Sequence, residues 1–249
     1  MFRIFALSFV LLWAAISTPL MAQTVATPDI IQPDKSPSTP ASTPGISGFA
    51  SDFLHDQKDI WTSPLHISRG DFEWLAPAAT GAGALAVFDH RISNSLKPDT
   101  SLRTPSNIVS DVGLVAPWAV PGALWFLGAT QHNSHNLEAG RLGIEAAVDS
   151  EVVMQVLKLA THRLRPNMAD YKSCPSGHAM SAFALAAVMS REYHDKPLVV
   201  FGSYGFATAV SLARVGGLNH FPSDVVAGAI IGELIGRYVA HHHAQLAPQ

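Results

Sequence analysis

The sequence contains a single cysteine and a small proportion of charged residues. With only Cys174 present, an intramolecular disulfide is excluded, so the fold must be stabilised by its packed core. Charged residues make up 14% of the chain, and the formal net charge is -3 at pH 7. A nucleic-acid-binding surface needs a strongly basic face, so the composition predicts no nucleic-acid partner.

Alternation of apolar and polar residues with a period of two is also scarce, which argues against a β-sheet. Apolar segments rich in small residues have instead the lengths and spacing of helices. These segments are Trp74–Phe88, Val112–Thr130, Leu142–Leu159, His178–Ser190, Leu198–Arg214 and Asp224–Ala240. A further short helix or lid is expected around Asp52–Trp61. The predicted fold class is all-α, a helical bundle of about six core helices.

The N-terminal residues 1–22 resemble a secretory signal peptide. They combine Arg3, an apolar stretch over residues 4–16 and a small residue, Ala22, that suits a cleavage site. Leu20, at the third position before the predicted cut, suits cleavage less well than a small residue does. An uncleaved anchor is therefore the alternative. Either interpretation predicts a protein of the periplasm or cell envelope.

The remainder of the chain divides into a linker, one domain and a tail. Residues 23–48 are rich in Pro, Ser and Thr and bury too little to offset the entropy of ordering, so a disordered linker is predicted. One helical domain is expected at residues 49–243, with a tail at residues 244–249.

The composition leaves association with a membrane open, because 48% of residues are hydrophobic and the mean hydropathy is +0.20. A spanning helix needs about 20 apolar residues, and the segment Trp74–Phe88 is shorter. The segment Leu142–Leu159 carries Glu145, Asp149 and Glu151, which suit water better than lipid. These features predict a soluble or peripherally attached periplasmic bundle, with an integral six-helix bundle as the alternative.

Basic residues and histidines concentrate in three segments of the C-terminal half: KLATHRLRP at 158–166, CPSGHA at 174–179 and ARVGGLNHFPSD at 213–224. A phosphoryl group in transfer spreads negative charge over three equatorial oxygens, so a site without metal needs several fixed cations and two proton carriers. Lys158, Arg165 and Arg214 are the predicted cations. The other candidates are Ser176, Gly177, His178, His220 and Asp224. The segments therefore predict a phosphate-handling site.

These segments resemble the signature of the type 2 phosphatidic acid phosphatase (PAP2) and vanadium haloperoxidase superfamily. That signature is Lys, six residues and Arg-Pro; then Pro-Ser-Gly-His; then Ser-Arg, five residues, His, three residues and Asp. The chain departs from it at Ala213, where the signature has serine, so an auxiliary hydroxyl is absent. The resemblance covers residues 140–239 and implies a helical phosphatase fold.

The matching positions also suggest roles for individual side chains. His220 is the predicted nucleophile, because a neutral imidazole can attack phosphorus while an acceptor holds its other N–H. Asp224, four residues later, is the predicted acceptor. His178 is the predicted general acid for the leaving oxygen and then the base that activates water. Ser176 is expected both to donate its hydroxyl to phosphate and to cap a helix whose first N–H groups, beginning at Gly177, face the anion.

The predicted activity is hydrolysis of a phosphate monoester or diphosphate through a phosphohistidine, without a metal or other cofactor. The substrate classes left open are lipid phosphates, isoprenoid diphosphates and small phosphomonoesters. One alternative is a vanadate-dependent haloperoxidase, because the same site could hold vanadate as a phosphate analogue. The other is a non-catalytic envelope protein that binds phosphorylated lipids.

Several polar residues outside the signature receive no catalytic role. The run Asp89-His90-Arg91 is interpreted as a solvated helix exit, and Arg163 as either a surface or a supporting residue. His132 and His135 lack a neighbouring carboxylate or thiol cluster. The histidines at residues 241–243 are interpreted as a solvated tail, with adventitious metal binding as the alternative. No metal site is therefore predicted.

Overall fold

The computed structural model describes residues 46–63, 69–97 and 100–242. Within these ranges the secondary structure consists of seven α-helices and contains no strand, which confirms the all-α prediction. The predicted signal peptide and tail, and nearly all of the predicted linker, lie outside the described residues.

The helices are α1 Ile46–Thr62, α2 Arg69–Leu96, α3 Arg103–Gln131, α4 Ser134–Thr161, α5 Gly177–Glu192, α6 Pro197–Gly216 and α7 Pro222–His242. Each of the six predicted segments lies inside one of the helices α2 to α7. The main difference is that the helices are longer than the predicted segments: α2, α3 and α4 contain 28, 29 and 28 residues. Polar residues at their ends continue the helix beyond the apolar pattern from which each segment was predicted.

Helix α5 lies at the centre of the bundle and packs against α4, α6 and α7. Its residues Met180, Ala184 and Val188 are fully buried. Leu142 of α4 and Val239 of α7 pack into the same cluster and are equally buried. The core is therefore built around a helix made mostly of small and medium apolar residues.

Helices α5 and α7 approach each other closely along a stripe of glycines. A Cβ atom at each glycine would collide with a carbonyl oxygen of α5 or its N-cap residue; the pairs are Gly228 with Ser176, Gly232 with Met180 and Gly236 with Ala184. Because the glycines recur every four residues, they share one face of α7. This close approach sets the N-terminus of α5 beside the N-terminus of α7, where two of the three signature segments lie.

Helices α3 and α6 leave much of their apolar surface uncovered. Of the most apolar stretch of each helix, only 22% is buried within the protein in α3 and 33% in α6. The exposed apolar side chains include Leu114, Val115, Trp118, Trp125 and Phe126 of α3, and Leu198 and Phe201 of α6. Both helices are long and apolar enough to cross a membrane.

The two premises of the predicted soluble bundle have different outcomes. Helix α2 is 28 residues long, but it is not one of the two described helices that are apolar enough to cross a membrane. Glu145 and Asp149 of α4 face the protein interior, with 2% and 1% of their surface exposed. Arg141 donates to Glu145 at 2.6 Å, and Gln57 of α1 donates to Asp149 at 2.9 Å. Because protein groups solvate these carboxylates, they do not require an aqueous surface.

Candidate active site

The three signature segments meet at one end of the bundle. Lys158 lies in the last turn of α4, Arg214 in the last turn of α6, and His178 in the first turn of α5. The Ser176 backbone N–H donates to the Asp224 carbonyl at 3.0 Å, which joins the start of α5 to the start of α7. The predicted convergence of helix ends is therefore present in the structure.

His220 lies in the turn between α6 and α7 with 1% of its surface exposed. Its Nδ1 atom is 2.5 Å from the carbonyl oxygen of Ser173. A carbonyl oxygen can only accept, so this contact assigns the proton to Nδ1 and leaves the Nε2 lone pair available. Burial, followed by the positive charges of Arg214 and Arg165, lowers the pKa of His220 well below its usual value. The imidazole is therefore neutral, as a nucleophile must be.

The predicted contact between Asp224 and His220 is not formed. Asp224 is fully buried and instead accepts from the Ser173 hydroxyl at 2.5 Å, the Phe221 backbone N–H at 2.9 Å and Arg163 Nη1 at 2.5 Å. The four-residue spacing was misleading because α7 begins only at Pro222, so His220 and Asp224 do not share a helical face. Asp224 instead acts on His220 indirectly, by holding the Ser173 segment.

The predicted cations differ in how they are held. Arg165 donates from Nε to Asp170 at 2.7 Å and from Nη1 to the Asn219 carbonyl at 3.2 Å. It is the only one of the three cations that forms an ion pair with a described residue. Arg214 is 9% exposed, and its Nε atom is buried without a hydrogen-bond partner in the described part of the chain. The positive charges of Lys158, Arg165 and Arg214 all act on both histidines.

Ser176 occupies the N-cap position of α5, but its side chain makes no capping hydrogen bond. The residue is fully buried, and its Oγ atom has no hydrogen-bond partner among the described residues. Leaving a polar atom buried and unpaired costs about 1–3 kcal/mol. A bound oxyanion would satisfy both this hydroxyl and Arg214 Nε, while the helix N-terminus that begins at Gly177 favours negative charge.

His178 is partly buried beside the same cations and lies against the backbone of Ser110 on α3. Burial, followed by the charges of Arg214 and Lys158, lowers the pKa of His178 to about 4. Without an anion the imidazole is therefore neutral near pH 7. A phosphate dianion would offset the cations, raise the pKa and allow His178 to carry a proton.

The sequence profile of the PAP2 superfamily matches residues 142–247, which contain all three segments. Over this range, which is less than half of its residues, the chain is similar to the PAP2 superfamily. Over 80 residues it is 36% identical to the lipid A 1-phosphatase of Porphyromonas gingivalis, a match that covers 32% of this chain and 18% of that protein. The activity and substrate of that longer relative are therefore considered below only as proposals for this chain.

Among solved structures, the fold is similar to that of a transmembrane PAP2-type phosphatidylglycerolphosphate phosphatase from Bacillus subtilis. The TM-score is 0.54, and the match covers 81% of this chain and 96% of that one. At 18% sequence identity, the likeness shows a shared fold and no more.

Two residues that support the candidate site received no catalytic role from the sequence. Asp89 of α2 is fully buried and accepts from Arg163 Nη2 at 2.7 Å, from the Ser223 backbone N–H at 3.0 Å and from the Ser223 hydroxyl. Arg163 Nη1 donates to Asp224, and its guanidinium lies 4.4 Å from the centre of the Phe221 ring. The interpretation of Asp89 as a solvated helix exit was wrong, because α2 continues past it to Leu96.

Cys174 lies directly before the Pro-Ser-Gly-His segment and is partly buried. Burial, followed by the negative charge of Asp224, raises the pKa of the Cys174 thiol to about 12. The thiol therefore stays protonated near neutral pH, which makes it a poor nucleophile.

Proposed function

We propose that the chain is a phosphatase that hydrolyses a phosphate ester through a covalent phosphohistidine at His220. The observation that carries this proposal is the buried imidazole, whose Nδ1–H is directed at the Ser173 carbonyl while its other nitrogen is left to react. The positive charges of Lys158, Arg165 and Arg214 surround it. A buried nucleophile among cations suits attack on an anionic phosphorus centre better than simple anion binding.

In the first step, His220 Nε2 attacks phosphorus, and the bond from phosphorus to the leaving oxygen breaks. The Nδ1–H contact with Ser173 stabilises the positive charge that develops on the ring. Protonated His178 gives its proton to the leaving oxygen. The cations, the Ser176 hydroxyl and the first N–H groups of α5 stabilise the equatorial oxygens.

In the second step, neutral His178 accepts a proton from water as the water oxygen attacks phosphorus. The bond from phosphorus to nitrogen breaks, inorganic phosphate leaves, and His220 returns to its neutral form. His178 regains in this step the proton that it lost in the first. The cycle balances without a metal ion or an external acid.

We further propose that the substrate is a lipid phosphate and that α3 and α6 cross a cell-envelope membrane. His178 lies against Ser110 of α3, and Arg214 lies in the last turn of α6, so the uncovered apolar surfaces of these two helices adjoin the site. An apolar surface of this extent is costly in water. The similarity to a lipid A 1-phosphatase over 80 residues also supports this class over small soluble esters.

The test is phosphate release by the detergent-solubilised full chain in the presence of EDTA. The panel compares lipid phosphates and isoprenoid diphosphates with a water-soluble aryl phosphate. We expect turnover of the lipid substrates and trapping of an acid-labile phosphoenzyme after acid quench. His220→Ala should abolish both, while His194→Ala, which changes an exposed histidine outside the site, should leave both intact.

Full activity of His220→Ala would exclude the covalent mechanism. Activity lost to EDTA and restored by a divalent ion would exclude the metal-independent one. A preference for the aryl phosphate would refute the lipid assignment. Peroxide-dependent bromination by the vanadate-loaded protein, in place of phosphate release, would indicate the haloperoxidase alternative.

A further inference from the structure

A second cluster of chemically reactive side chains lies at the far end of α7 from the active site. His55 and Asp59 of α1 and His242 of α7 each offer one ligand atom, and these atoms lie within 4.8 Å of one another. Helix α7 starts beside the active site at Pro222, and its 21 residues extend about 30 Å. The cluster is therefore separate from the phosphate site.

The two residues of α1 are placed together by helical spacing. His55 and Asp59 are four residues apart and so share one face, with Nδ1 and Oδ2 separated by 3.6 Å. His242, from the last turn of α7, stacks on His55 with ring centres 5.3 Å apart. Potential ligand atoms from two helices thus lie within 4.8 Å of one another.

Tyr238 supports this arrangement from outside the cluster. Its hydroxyl donates to Asp59 Oδ2 at 3.0 Å, and its ring stacks on His242 with the ring centres 5.3 Å apart. A hydrogen bond of this kind orients a ligating carboxylate and is typical of the residues around a metal centre. The cluster therefore has both ligand atoms and a group that positions one of them.

We propose that His55, Asp59 and His242 bind a Zn²⁺ ion, with water as the fourth ligand. Two imidazole nitrogens and one carboxylate oxygen are a common donor set for zinc, whereas Mg²⁺ and Ca²⁺ prefer oxygen atoms alone. Tetrahedral zinc with these donors requires ligand atoms about 3.4 Å apart. Rotation of His55, whose side chain is 53% exposed, would allow this contraction.

The ion would act on the fold rather than on the reaction. Helix α1 packs only lightly against α4, so a metal bridge to α7 would add a strong link between α1 and the bundle. A site about 30 Å along α7 from the active site cannot touch the phosphoryl group. Zinc should therefore raise the thermal stability of the protein and leave phosphate release unchanged.

The experiment is a calorimetric zinc titration of the full chain in detergent, purified without a histidine tag. We expect one zinc ion per chain, and at least about tenfold weaker binding for His55→Ala, Asp59→Asn and His242→Ala. Tyr238→Phe should weaken binding less than these ligand changes do. His194→Ala is the matched control and should bind as the wild type does.

Thermal unfolding supplies a second readout. Zinc should raise the melting temperature of the wild type and of His194→Ala, but not that of His55→Ala. Wild-type affinity in both His55→Ala and Asp59→Asn would overturn the proposal, as would loss of binding on replacing only His241 and His243. If phosphate release required zinc, the proposal that the ion only stabilises the fold would be wrong. None of these binding results bears on the phosphohistidine mechanism.

Discussion

At the scale of single residues, the proton of His220 is positioned by a backbone carbonyl rather than by a carboxylate. Ser173 accepts through its main chain from His220 and donates through its hydroxyl to Asp224. Asp224 in turn is held by Arg163, which is paired with Asp89. The His220 imidazole is therefore oriented by a chain of contacts that ends on α2.

We expect Asp89→Asn to lower kcat about 10- to 100-fold, the effect of losing a hydrogen bond to a charged group. The amide can still accept from Ser223, but it no longer neutralises Arg163. Because Asp89 touches no substrate, KM should change little. Arg163→Lys, which keeps the charge and loses the forked geometry, should retain part of the activity. The measurement is steady-state kinetics on a lipid phosphate, and the control is Asp195→Asn, which changes an exposed carboxylate. A wild-type kcat in Asp89→Asn would contradict the positioning role of Asp89.

The two histidines should differ in how their reactions depend on pH. His220 has a strongly lowered pKa, so it stays neutral and reactive at pH 5.5, where an ordinary histidine is mostly protonated. His178 must carry a proton in the substrate complex, so phosphoenzyme formation should slow as rising pH removes it. In His178→Gln the rate should be low and lose this alkaline decline. Rapid-quench measurements between pH 5 and 9 test this, and an unchanged alkaline decline in the variant would assign the acid elsewhere.

At the scale of helices, the contact between α5 and α7 depends on the absence of side chains. Any Cβ at Gly232 would collide with the Met180 carbonyl, and backbone cannot move aside as a flexible side chain can. Separating the two helices would also move the Ser176 N–H away from the Asp224 carbonyl. Packing in the middle of the bundle is thus coupled to the geometry of the candidate active site.

Gly232→Ala should therefore destabilise the protein by about 1–3 kcal/mol, the usual cost of overpacking, and reduce activity. The matched control is Gly202→Ala, because a Cβ at Gly202 meets nothing within 4 Å. That control should be neutral or slightly stabilising, since alanine is favoured over glycine in helices. Thermal melting in detergent compares the two. Equal melting temperatures for Gly232→Ala and Gly202→Ala would show that α5 and α7 can separate without loss of stability.

At the scale of the whole molecule, polar and apolar groups are distributed differently from a water-soluble bundle. Carboxylates such as Asp89, Asp149 and Asp224 lie inside the protein, each with 1% or less of its surface exposed. Large apolar side chains such as Leu198, which is 89% exposed, lie on the outside. This distribution suits an environment of lipid around α3 and α6 better than one of water.

We expect the protein to remain in the membrane fraction after carbonate and high-salt extraction and to need detergent for release. Peripheral attachment depends on surface charge or shallow insertion, which these treatments disrupt, whereas spanning helices resist them. Immunoblotting of the fractions gives the result. Release by carbonate alone would restore the peripheral interpretation predicted from sequence.

Much of the architecture was predictable, because helical periodicity and small-residue content mark each of the six core helices. Their ends were less predictable, since polar residues such as Asp89 continue a helix when a tertiary partner neutralises them. The roles of His220 and His178 remain predictions that the geometry supports. The position of Arg163 inside the first signature segment could have suggested a supporting role for this cation. Its partner Asp89, however, lies 74 residues away in sequence, and no local pattern links the two.

The sequence by itself determined the helical fold, the resemblance to the PAP2 superfamily and the candidate residues for handling a phosphate, because periodicity and motif spacing are local properties. Only the tertiary structure decided which group holds each side chain. It showed that the partner of His220 is the Ser173 carbonyl and not Asp224, and that Arg163 donates a hydrogen bond to Asp89. It also brought His55 to His242. Contacts of this kind depend on how helices distant in sequence pack, and no local pattern encodes that packing.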